Sequence, residues 1–225
     1  MIAATLLSAG PVADNPGELI ALLGILALAP AALVMLTSFL KIAVVLSIAR
    51  SALGAPQVPP TTAVTGLALV LTLLVMAPVG ERAAALAREA PGERGVAGAT
   101  ARLARAAEPL RAFLTRFARE DDRAVFLDVA RRLRAGDGPA PGERDLAVLA
   151  PAFVVSELRR AFTIGFIVFV PFLAVDLVVA NVLLALGLTQ LSPTSVALPF
   201  KLLLFVAVDG WRLLARSLAL SYLAQ

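Results

Sequence analysis

The sequence contains no cysteine and no histidine. Without cysteine there is no disulfide, no thiolate metal site and no cysteine nucleophile. Without histidine the usual general base and the commonest metal ligand are missing. Lysine is nearly absent too: Lys41 and Lys201 are the only two. Aromatic residues make up 6% of the chain, with a single Trp and a single Tyr. Net charge is +4 and the sequence pI is near 10.6. Yet no basic cluster is interleaved with aromatics, so the pattern of a nucleic-acid binder is lacking. There is no Gly-rich phosphate loop ending in Lys-Ser or Lys-Thr, no HExxH and no GxSxG. Enzyme readings start with little support, and nothing calls for a cofactor or a metal.

What is abundant is apolar side chain. Hydrophobic residues make up 60% of the 225 and the mean hydropathy is +0.89. Soluble domains hold about 45–50%, so this is an integral membrane protein. Its organising stretch is Pro151–Trp211, an apolar block with Glu157, Arg159, Arg160, Asp176, Lys201 and Asp209 at isolated points. From Ala161 to Leu191 the one ionisable residue is Asp176. As a single helix those residues would rise about 46 Å, beyond a ~30 Å hydrocarbon core. The run therefore reads as two membrane-length helices or a long hairpin, bent near Pro171 or Gly187. A carboxylate at membrane depth costs several kcal/mol unless it faces protein, water or a cation. These charges are expected to pack against other helices or other subunits.

Taken in order, residues 1–18 read as a loose, uncleaved N-terminal segment, lacking the basic start of a secretory signal. Residues 19–79 form a first hydrophobic helical hairpin. Its first arm begins with uncharged Leu19–Leu36, interrupted by Pro30, and resumes after Thr37-Ser38 as far as Ile48. Gly54–Pro60 (GAPQVPP) is a stiff non-helical link. Thr61–Val79 is a plain second span, with Thr61 or Thr62 as its cap and an end at Pro78-Val79-Gly80. Residues 80–150 are a charged, helical soluble domain. Glu81–Leu149 holds 24 of the 36 charged residues. Leu110, Phe113, Leu114 and Phe117 make one helical stripe, and Phe126, Leu127 and Ala130 another. Glu120-Asp121-Asp122 reads as a solvated turn between helices; a metal site is the weaker alternative, because adjacent residues do not share a helix face. Residues 151–225 give a second hydrophobic hairpin and a C-terminal helix, with Trp211 and Tyr222 suited to membrane interfaces. The fold class is all-α: membrane-associated helical hairpins with a helical soluble insert.

Two rival functions follow from the charges alone. Asp176 and Asp209 could share a proton as an intramembrane aspartyl protease dyad, with Ala197-Leu198-Pro199 faintly echoing that class's proline motif. The GxGD context is missing, however, since Asp209 sits in AVDGW and Asp176 in LAVDLV. A transporter or channel fits buried charges and proline-broken helices, but no inverted repeat is convincing.

Three segments carry a resemblance: Ser38–Val79, with its ALGAPQVPP element; Pro151–Gly187, with PAFVVSEL; and Ser192–Trp211, with LPFKLLLFVAVDGW. They resemble the SctR/FliP family of type III secretion export-apparatus proteins, over about two thirds of the chain, and the injectisome branch is favoured over the flagellar one. The resemblance implies a non-enzymatic core of the export gate in the bacterial inner membrane. It implies a homopentamer, assembled helically with SctS-like and SctT-like small partners and with larger export-gate proteins. The assembly would enclose a closed pore for unfolded substrates, sit largely above the membrane plane, and hold the soluble domain on the periplasmic side. Membrane lipid is an expected neighbour and nucleic acid is not. Positive-inside counting would instead make the soluble domain cytoplasmic, but a segment longer than about 60 residues escapes that rule. The family's gate loop is methionine-rich. The matching stretch here is Leu188, Thr189, Gln190 and Leu191, and the only methionines are Met1, Met35 and Met76. By position these four residues are the expected gasket.

Lys41, Glu157, Arg160, Asp176, Lys201 and Asp209 are the expected buried or intersubunit charges. Glu157 and Arg160 can meet at i,i+3. Asp176 and Lys201 have no opposite charge within a helical turn, so their partners are tertiary or quaternary, Lys201 with Asp176 being one possibility. Lys41 either snorkels from a helix end or pairs with a distant acid.

Overall fold

The protein is described by a computed structural model covering residues 24, 27, 30, 31, 34–55, 59–89, 102–134 and 140–223. The expectations for residues 1–18 and for most of Leu19–Leu36 lie outside them. The helices with defined bounds are α1 (Phe39–Ala52), α2 (Thr61–Glu89), α3 (Glu108–Phe117), α4 (Glu120–Leu133), α5 (Leu146–Ala185), α6 (Pro193–Ala207) and α7 (Gly210–Leu220). No strand occurs among the described residues.

The chain bends at residues 36–38 before α1 begins, where the Phe39 N–H donates to Thr37 Oγ1 at 3.3 Å. α1 buries Lys41, Ile42, Val45, Leu46, Ala49 and Ala52, one face of a 3.6-residue period. It packs along α5, whose buried positions Leu149, Phe153, Glu157, Ala161 and Gly165 recur every four residues. The helices meet closely at Gly165, where an added Cβ would lie 2.4 Å from Ile48 Cδ1. α1 ends at Gly54, in the left-handed region (φ 75°) that a glycine adopts without strain.

Two expectations need correction, and a third resolves to one of its alternatives. α2 does not stop at Pro78–Gly80 but runs on to Glu89, since a single missing N–H costs one hydrogen bond without ending a long apolar helix. Thr61 does not cap α2; its Oγ1 accepts from Arg50 Nη1 at 2.6 Å, pinning the end of α1 to the start of α2. Of the two expected bend points, Pro171 and Gly187, the chain turns at the second. α5 is a continuous helix of 40 residues that contains both Pro151 and Pro171. The reversal falls at Gly187 (φ 69°). There the Leu188 N–H donates to the Leu183 carbonyl and the Gly187 N–H to that of Leu184, the paired bonds of a Schellman cap.

α3 buries Phe113, Leu114 and Phe117, the expected stripe. This apolar face is not private to the charged insert. Phe113 packs on Phe153 of α5, and both Phe113 and Phe117 pack on Tyr222. Tyr222, expected at a membrane interface, is 5% exposed.

At the α6–α7 junction Asp209 adopts left-handed backbone (φ 51°), which Asp tolerates better than most residues. A Cβ on Gly210 would come within 2.3–2.6 Å of the Phe205 ring. That ring cannot retreat freely, being held between Trp211, edge-on at 5.0 Å, and Phe172. Gly210→Ala is therefore expected to destabilise the protein by about 1–3 kcal/mol, read as a lower melting temperature in detergent. Adding Phe205→Leu should recover part of the loss; equal melting of Gly210→Ala and the parent would refute the clash.

Candidate functional site

α5 gathers the polar side chains into three knots. The first surrounds Glu157, which is fully buried. Its four-residue stripe turns it toward α1, where Lys41 Nζ lies 3.4 Å from Oε2. One turn on, Arg160 Nη1 donates to Oε1 at 2.9 Å and to the Phe117 carbonyl at 2.8 Å. The Tyr222 hydroxyl donates to Oε2, while the Lys41 ammonium sits 3.6 Å above the Tyr222 ring centre, a cation–π geometry. Burial, then the neighbouring Glu157 carboxylate, push the Tyr222 phenol far above its ordinary pKa. It stays protonated and can only donate to the acid. One carboxylate thus ties together α1, α5, the end of α3 and the chain after α7.

The second knot is Asp122 in the first turn of α4. Ser156 donates to Oδ2 at 2.6 Å, Arg159 Nη2 to Oδ1 at 3.2 Å, and the Arg119 N–H to Ser156 Oγ at 2.9 Å. Asp122 is 5% exposed, so the solvated-turn reading of Glu120–Asp122 fails there. No metal-binding cluster of His, Cys, Asp or Glu occurs among the described residues. The cue was in the chain: four polar residues in Ser156–Arg160 lie too close together on an apolar helix to serve one partner.

The third knot joins the second hairpin to the first. Lys201 Nζ donates to Asp176 Oδ2 at 2.6 Å and to the Ala52 carbonyl at 3.2 Å. Lys201 is buried, and the Asp176 side chain is one-third exposed. Asp176 Oδ1 is buried and accepts no hydrogen bond from the described residues. Asp209 stands apart from these knots, exposed, with Arg212 Nη1 at 3.6 Å. Asp176 and Asp209 hold different cations, so the shared-proton dyad is not formed. Leu188, Thr189, Gln190 and Leu191 make up the exposed turn between α5 and α6.

Around these knots the surface is apolar. α2 exposes Leu69, Val70, Leu73 and Leu74; the later part of α5 exposes Phe166, Ile167, Leu177 and Val178; α6 exposes Phe200, Leu203 and Val206. α2 and α5 are each long and apolar enough to cross a membrane.

Comparison with known proteins agrees with this architecture. The FliP family profile matches residues 22–218. The chain is 47% identical over 199 residues to "Pathogenicity-related ORF2" of Xanthomonas campestris pv. glycines, covering 88% of this chain and 92% of that protein. It is 47% identical over 207 residues to the flagellar biosynthetic protein FliP of Pectobacterium carotovorum, covering 91% of this chain and 78% of that one. It is 43% identical over 207 residues to the Yop proteins translocation protein R of Yersinia pestis, covering 91% and 95%. The described residues are all-α with two membrane-length helices among them, and the chain, matched by one family profile over residues 22–218, belongs to the FliP family.

Proposed function

We propose that this chain is a core, pore-forming component of a type III secretion export gate, of the injectisome branch, with the flagellar gate as the second reading. The observation that carries it is the apolar surface left open on α2, α5 and α6 while the charges inside the apolar block, apart from the exposed Arg159 and Asp209, are paired inward. Apolar faces this extensive mark association with lipid or other subunits. In this reading five copies assemble with SctS-like and SctT-like partners and larger gate proteins in the bacterial inner membrane. The α3–α4 insert lies on the periplasmic side, and unfolded substrates pass through the ring. The buried ion pairs serve assembly, and no catalytic role is assigned.

The α5–α6 turns of the copies form the closure of the pore. Leu188 and Leu191 supply the apolar seal that methionine would otherwise give, as branched and less adaptable side chains. Replacing both with glycine is expected to leave the complex intact and to make cells leak small solutes, measured by dye or ion efflux. Unchanged permeability with normal assembly would refute the gate assignment. Native mass measurement of the extracted complex tests the wider reading; a monomer without small hydrophobic partners would overturn it.

A further inference from the structure

A cavity of about 580 Å³ opens between α2, α3 and the end of α7. Its walls are apolar: Leu74 and Val79 from α2, Phe113 from α3, Leu220 and Leu223 from the C-terminal segment. Two cations, Arg82 and Arg116, line it, and among the described residues no acid does. Both arginines are exposed. We infer that this groove binds an anionic phospholipid, acyl chain against the apolar wall and phosphate at Arg82 and Arg116.

Two observations choose that occupant. The first is charge complementarity: guanidinium groups on two different helices beside an apolar trough suit a molecule with a phosphate at one end and a hydrocarbon chain at the other. The second is position along α2. This helix is uncharged from Thr61 to Gly80 and charged from Glu81 onward, and the groove straddles that step, from Leu74 to Arg82. If α2 crosses a bilayer, the step marks the headgroup level, where basic side chains meet lipid phosphates. Tyr222 also lines the groove, and the other side of that residue engages Glu157 and Lys41. A lipid seated here would press on the ring that holds the C-terminal segment in the first knot. The inference stands apart from the export-gate reading, because lipid binding and secretion are measured separately.

The test is native mass spectrometry of the assembled complex, delipidated in detergent and then offered phosphatidylglycerol or phosphatidylcholine. The expected result is preferential retention of phosphatidylglycerol, not displaced by inorganic phosphate. In the double variant Arg82→Glu, Arg116→Glu its affinity should fall at least about twenty-five-fold, at about fivefold for each basic residue lost from an anionic headgroup. Ala112→Trp, which fills the groove without touching its charge, should abolish retention of both lipids with the complex still assembled. Equal retention of the two lipids, retention unchanged in both variants, or displacement by phosphate alone would overturn the proposal. So would the groove crosslinking to an exported polypeptide and to no lipid.

Discussion

Glu157→Ala is expected to cost about 3–5 kcal/mol and to deplete assembled complex almost completely. The substitution leaves the buried Lys41 ammonium and the part-buried Arg160 without their carboxylate, and an uncompensated buried charge is what makes breaking such a pair expensive. Arg160 keeps the Phe117 carbonyl, but Lys41 keeps only the face of Tyr222, and the Tyr222 hydroxyl is left with the more distant Ser38 carbonyl at 3.5 Å. The damage therefore spreads from α5 to α1 and the C-terminal segment at once. Glu157→Gln preserves shape but not charge and should fail nearly as badly. Blue-native gels at matched expression, with melting in detergent, give the readout. Normal assembly and melting of Glu157→Ala, with secretion abolished, would assign the residue to transport and refute the structural role.

The Lys201–Asp176 pair is expected to respond asymmetrically. Asp176→Ala strands a buried ammonium on the Ala52 carbonyl alone, at a cost of about 3 kcal/mol. Lys201→Ala leaves a carboxylate that is one-third exposed and can recruit solvent, so its cost is smaller, roughly 1–2 kcal/mol. Both should lower the amount of assembled complex, the aspartate variant more. Arg102→Ala, at an exposed position of the insert, should stay within about 0.5 kcal/mol of the parent. The reverse order on the same gels would mean that the acid, not the lysine, is the group held away from solvent in the assembly.

Much of this arrangement could be read from the chain. The all-α class and the hairpins followed from run length and hydropathy. That Asp176 and Lys201 need distant partners followed from helix spacing alone. Which partners they take did not, because spacing constrains only one helix at a time, and the pairing of α5 with α6 was still open. Asp122 was misread for a related reason: its neighbours Glu120 and Asp121 are exposed, and no local signal marks which of three adjacent acids the fold turns inward. Tyr222 was misread because an amphipathic ring suits an interface and a buried acid equally well, and the acid lies 65 residues away. Pro171 looked like a break because the lost hydrogen bond is visible in the sequence. The side-chain packing that carries the helix past it is not.

The unbroken course of α5 has a mechanical consequence. From Glu157 to Ala185 the helix extends about 42 Å, so a lever with the buried carboxylate as fulcrum and the Leu188–Leu191 turn as tip would have to carry the Lys201–Asp176 pair with it. A tilt of about 5° at the fulcrum carries the tip by roughly 4 Å. Pro171 lies midway along the arm, fourteen residues from each end. Its missing N–H leaves the Ile167 carbonyl without its helical donor and makes that point the softest along the arm. Strain entering at the first knot is thus magnified at the turn and partly absorbed at one defined joint, and substituting Pro171 would stiffen the transmission without touching either end.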